Sequence, residues 1–189
     1  MGYTFAGWNP VVGIMDNVNG KMFTAVWTAD SDTTYKVETY TMDTNGEYTL
    51  ETGVFAGETN SAVTAEYSVE KGFELNEEKS VLSGVIAPDG SLVLKVYLDR
   101  VKYEININGE TIGCVYGQQI NEPARPEAPE GHTQTGWSDE NGNTVEFPIV
   151  VGDDIPEEIN PVYEKLSYTV TWIVDSVETE ENYEYGTAI

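Results

Sequence analysis

Basic residues are scarce in this chain of 189 residues: nine Lys plus Arg stand against 33 Asp plus Glu, a formal net charge of −24 at neutral pH. So acidic a surface repels phosphate backbones and anionic lipid headgroups, and nine scattered cations build no basic patch. Nucleic acid and the membrane surface are therefore excluded as partners. Cysteine and histidine occur once each, as Cys114 and His132. One Cys excludes an intramolecular disulfide framework and a Cys-rich zinc site, and one His excludes HExxH-type or multi-histidine metal chemistry. No run of about 18 apolar residues occurs, so no segment reads as a membrane-spanning helix. The N-terminus lacks the basic-then-apolar pattern of a signal peptide, and the chain reads as a segment of something larger. Helical periodicity is weak throughout, with one short helical turn expected around Ser61 to Tyr67.

What is abundant points to strands. The chain has 12 Tyr, 4 Trp and 5 Phe, is rich in Thr and Val, and carries 18 Gly and 8 Pro for turns. Aromatic and β-branched side chains suit a pleated, half-buried surface, so the class is mainly β with little helix. Tyr103, Ile105 and Ile107 alternate with polar neighbours, as do Tyr168, Val170 and Trp172; Leu92, Leu94, Val96 and Leu98 form the clearest half-buried strand. Asn45-Gly46, Pro88-Asp89-Gly90, Asn108-Gly109 and Asn141-Gly142 are turn signals, because Asn or Asp with Gly takes the positive φ of tight hairpins readily.

Three markers each recur three times. A Gly-aromatic entry is found at Gly2-Tyr3, Gly72-Phe73 and Gly131-His132, twice continuing into Gly-Trp as Gly7-Trp8 and Gly136-Trp137. A closing strand is found at Ala25-Val26-Trp27, Lys95-Val96-Tyr97 and Pro161-Val162-Tyr163. An opening strand is found at Tyr35-Lys36-Val37, Tyr103-Glu104-Ile105 and Tyr168-Thr169-Val170. Their order predicts complete repeats over 33–99 and 103–164, the C-terminal half of a repeat over 1–28, and the N-terminal half over 167–189. Together the terminal halves lack only the counterpart of the connector Asn121 to Glu130, whose Pro123, Pro126 and Pro129 favour extended polyproline geometry.

These residues carry a resemblance. Tyr168 to Thr171, Tyr185-Gly186, the run Gly2 to Trp8 and Ala25 to Trp27 resemble the Listeria–Bacteroides, or internalin-type B-repeat, family of bacterial surface proteins. The central repeat resembles the related mucin-binding-protein repeat through Tyr35 to Tyr40, Asn45 to Tyr48 and Asp89 to Tyr97. The resemblance implies tandem small β-grasp-like modules with antiparallel and mixed sheets, in an extracellular protein of the bacterial cell surface or cell wall. The third occurrence departs from it, with His132 and Gln134 where the first has Tyr3 and Phe5.

Chemical candidates remain few. Trp8 and Trp137 form a candidate sugar-stacking platform, although recurrence at one repeat position favours a core role. The acidic groups Asp30 with Asp32, Asp43 with Asn45, Asp139-Glu140-Asn141 and Asp153-Asp154 lack EF-hand spacing and read as solvated loops, not a metal site. Cys114 reads as a buried, inert thiol. His132 has no accompanying nucleophile motif and occupies the aromatic slot of the repeat. No catalytic, cofactor-binding or metal-binding residue is assigned. The expected function is a non-enzymatic adhesin stalk or spacer in contact with a protein or glycan of another cell. The alternative is a fibre subunit whose terminal half-repeats complement one another in further copies by strand addition, with Trp27, Tyr168, Val170 and Trp172 at the assembly edge.

Overall fold

The alternation read in the sequence becomes strands in the computed structural model, which describes residues 2–13, 20 and 22–189 and contains no helix among them. Of the expected half-repeat 1–28, residues 1, 14–19 and 21 lie outside the described residues. The chain divides into two compact units, Met1–Arg100 and Val101–Ile189.

In the first unit, β1 (Tyr3–Asn9) and β2 (Thr24–Ala29) form an antiparallel two-stranded sheet. They are followed by β3 (Thr33–Met42), β4 (Tyr48–Gly57), β5 (Ala62–Thr64), β6 (Phe73–Leu75), β7 (Ser83–Val85) and β8 (Val93–Arg100). The four-stranded sheet has the order β4-β3-β8-β6, in which β3 and β8 run parallel and the outer pairs are antiparallel. Strand alternation sends Leu94, Val96 and Leu98 of β8 to one face, 0%, 0% and 7% exposed, where they join Val37 and Ala65 in the core. Each such side chain contributes about 1.5–3 kcal/mol when taken out of water. The helical turn expected near Ser61 is replaced by β5, which pairs antiparallel with β7 through Ala62↔Val85 and Thr64↔Ser83. Ladder hydrogen bonds to Ser83–Val85 outweigh the short apolar spacing that suggested a helix, and Val63 and Thr64 are β-branched.

The second unit repeats this plan. It contains β9 (Lys102–Ile107), β10 (Glu110–Val115), β11 (Gln119–Ile120), β12 (His132–Asp139), β13 (Ile149–Val150), β14 (Glu158–Lys165), β15 (Ser167–Val174) and β16 (Val177–Glu184). The sheet order is β10-β9-β14-β12, again with the two central strands parallel, here β9 and β14. Ile105, Ile107, Cys114, Trp137, Val151 and Ile159 form the core. β15 and β16 form a separate antiparallel hairpin.

The terminal hairpins copy halves of the complete sheet. β1 with β2 matches β12 with β14, including one bulge at the same place: the register shifts between Phe5 and Gly7, and between Gln134 and Gly136. β15 with β16 matches β9 with β10, and both turn through two residues of positive φ, Asp175-Ser176 (51°, 64°) and Asn108-Gly109 (53°, 83°). That pair of conformations follows the twist of the flanking strands.

Candidate interaction surfaces

The recurring Gly-aromatic entry has a structural role at each end. In the first unit the Asp30 N–H donates to the Gly2 carbonyl (3.0 Å) and the Thr59 N–H to the Asp30 carbonyl (2.9 Å). In the second, the Leu166 N–H donates to the Gly131 carbonyl and the Tyr185 N–H to the Leu166 carbonyl, both at 2.8 Å. One main-chain relay thus ties each four-stranded sheet to its neighbouring hairpin. Gly2 and Gly131 adopt φ of +72° and +73°. A Cβ on Gly2 would meet the Pro88 carbonyl oxygen at 2.6 Å, and one on Gly131 would enter the Tyr185 ring. Only glycine has both the backbone freedom and the lack of bulk required. Side chains reinforce the relays: Thr4 Oγ1 donates to Asp30 (2.6 Å), the buried Thr33 and Thr59 hydroxyls share a hydrogen bond, and Tyr185 Oη donates to Glu130 (2.8 Å).

The two candidate platform tryptophans part company. Trp137 is 3% exposed, packs edge-on against Phe147 and donates its indole N–H to Glu122 (3.0 Å), so it is core and offers no platform. That bond, then the one from Arg125, holds the Glu122 carboxyl below its ordinary range. Trp8, at the same repeat position, is 45% exposed and lies with Trp27 against Phe5, ring centroids 5.5 and 5.4 Å apart. At the other end Tyr168 and Trp172 are exposed and Val170 is half-buried, on one face of β15.

Two further surfaces carry little sequence signal. An open groove of about 640 Å³ in the first unit is lined by Thr39, Thr41, Thr49, Glu51, Tyr67 and Phe73 among others. Its hydroxyls and carboxylates suit a neutral, hydrogen-bonding chain. On the opposite sheet face, Tyr40 and Tyr97 stack 4.3 Å apart, and Tyr48 stands edge-on to Tyr97 at 5.3 Å. Lys79 caps Tyr48, donating to its oxygen at 2.8 Å, and Tyr48 donates to Asp99. The hydrogen bond to Glu38, with some burial, pushes the Tyr40 hydroxyl up to about 12. Register brings these tyrosines together through Tyr40↔Tyr97, a pairing between strands distant in sequence, and through Met42↔Tyr48 at the end of the β3–β4 hairpin.

The remaining chemical candidates resolve into structure. Asp43 and Asp139 each accept backbone N–H groups of their own loop, Asn45 and Glu47 at 2.8 and 2.9 Å, Asn141 and Asn143 at 2.9 and 2.7 Å. Among the described residues no group of three or more His, Cys, Asp and Glu side chains is placed to hold a metal ion. Cys114 is buried, and burial pushes its thiol up. His132 Nδ1 lies 3.0 Å from the Glu130 carbonyl. Comparison of the chain with models of known protein families, with curated proteins and with solved structures found no match.

Proposed function

We propose that the chain is a non-enzymatic repeat segment of a bacterial cell-surface or cell-wall protein, serving as the stalk or spacer of an adhesin. In this reading it belongs with the Listeria–Bacteroides B-repeat and mucin-binding-protein repeats, and its modules are β-grasp-like. The observation that carries the reading is the junction built twice, at Gly2–Asp30–Thr59 and at Gly131–Leu166–Tyr185. A spacer must hold successive modules in a set relation, and main-chain hydrogen bonds closed over a glycine do this with little dependence on side-chain identity. The second-first-fourth-third strand order in both four-stranded sheets supports the β-grasp-like part. The groove above Thr39 and the Tyr40–Tyr97 face are the surfaces on which a protein or glycan of another cell would rest. Antibody raised against the purified chain, applied to intact cells that make it, tests the location. Surface labelling that disappears after brief protease shaving is expected; labelling that requires permeabilised cells would defeat the proposal.

A further inference from the structure

β4 is an outer strand of the first unit's four-stranded sheet, with described chain on both sides of it, and among the described residues it pairs with β3 alone. The Lys36 N–H donates to the Leu92 carbonyl at 3.0 Å, so the even-numbered residues of β3 turn their main-chain groups to the β8 side. Their partners on β4, Leu50 opposite Tyr40, Thr52 opposite Glu38 and Val54 opposite Lys36, therefore turn theirs outward, to the open edge. Sheets guard such an edge with Lys, Pro, a bulge or a short strand. β4 has none of these: Tyr48–Gly57 is 10 residues long, holds no Lys, Arg or Pro, and pairs with β3 without a register shift. The matching edge of the second unit is guarded. There β10 has 6 residues, and the outward Val115 N–H donates to the Gln118 side chain at 3.0 Å.

The two faces beside this edge differ in chemistry. On the face of Tyr40, Leu50 and Val54 are 51% and 64% exposed. On the other face run the groove already described and a smaller hollow that shares Thr39 and Glu51 with it. Glu51, Glu66 and Glu70 are among their lining residues, and among the described residues no Lys or Arg is. Phe55 lies over Gly53, where a Cβ would meet its ring at 2.7 Å, and stacks on Tyr35, which gives the hollow an apolar floor. A strand added to β4 presents alternate side chains to these two surfaces. We propose that β4 receives an extended, basic segment of a partner protein, added antiparallel, the more stable pairing per residue. Its main chain bonds Leu50, Thr52 and Val54, its Lys or Arg side chains turn to Glu51, Glu66 and Glu70, and its β-branched residues turn to Leu50 and Val54. The long stems of those cations cover Phe55. A second copy of β4 is the poorer occupant. It brings its own Glu51, Glu66 and Glu70 beside these three and joins two chains of net charge −24.

The inference rests on the contact role proposed for this groove and not on a surface location, so it and the labelling experiment can fail separately. Calorimetric titration of the full chain with a peptide of alternating Val and Lys, as long as β4, tests it. One-to-one binding is expected. N-methylation of the Val residues, whose N–H groups point at the β4 edge, is expected to abolish binding, and N-methylation of the Lys residues, whose N–H groups point to solvent, to leave it. Both peptides keep the same charge, so ionic attraction alone does not tell them apart, and any other pattern would overturn the proposal. In the protein, Val54→Pro removes one outward N–H and no bond of the β3 ladder. It is expected to keep the thermal midpoint and to weaken binding by about tenfold, and undiminished binding would overturn the proposal. Glu51→Gln is expected to weaken binding and to flatten its dependence on salt. Self-association of the chain without peptide, lost in Val54→Pro, would give the edge to a second copy and equally overturn the proposal.

Discussion

A buried indole needs apolar contact for its rings and an acceptor for its N–H, and Trp137 finds these in Phe147 and Glu122. Trp137→Ala removes the ring contacts and leaves a void in the core, at an expected cost of about 3–5 kcal/mol. Trp8→Ala at the equivalent position removes a half-exposed ring packed on Phe5, and is expected to cost under about 1 kcal/mol. Urea melts of the two variants at a concentration where the protein is monomeric compare them directly; equal losses would show that Trp8 is covered as fully as Trp137. The spacing of Gly-Trp pairs was enough to put both residues in one repeat slot. Their different burial was not legible, because the atoms that cover Trp137 come from residues 122 and 147 and from strand β9, and no short window of sequence around either tryptophan contains them.

The turn elements were the most legible part of the fold, for a local reason. In Asp43-Thr44-Asn45-Gly46-Glu47 and Asp139-Glu140-Asn141-Gly142-Asn143 the carboxylate receives N–H groups two and four residues on, and the glycine takes φ of +85° and +82°. All the interactions lie within five residues, so the residue types suffice to predict them. The hydrogen bond from the Asn143 side chain to Asp139, followed by the backbone bonds there, and the backbone bonds to Asp43 favour the ionised form and lower both carboxyls from an ordinary value near 3.8. The stabilisation is therefore complete above that value and is lost as pH falls through the lower folded value. For Asp139→Asn, thermal melts between neutral and acid pH are expected to show a shallower loss of stability below about pH 4 than the wild type; an unchanged acid profile would remove Asp139 from the account. Strands β5, β7, β11 and β13, two or three residues each, were illegible by contrast. Too short to show a period, they exist because a distant partner supplies the hydrogen bonds. Parallel pairing of β3 with β8 and of β9 with β14 was hidden for the same reason.

At the scale of the whole molecule, a net charge of −24 on 189 residues makes self-repulsion a general term against the compact state. The ion pairs Arg125–Glu122 and Lys165–Glu184 are exposed, and such pairs offset little of it. Salt shortens the reach of the repulsion from roughly 30 Å at 0.01 M to roughly 8 Å at 0.15 M. The thermal midpoint is therefore expected to rise with sodium chloride over that range and then level off, as followed by circular dichroism. A midpoint that falls would mean that attractive pairs dominate. The junction at Gly131 has its own consequence at this scale. The relay it shares with Gly2 uses main-chain groups over one glycine, and makes almost no demand on which modules it joins. In the proposed stalk a whole repeat can then be gained or lost without rebuilding an interface, so the length of the array would change by whole repeats.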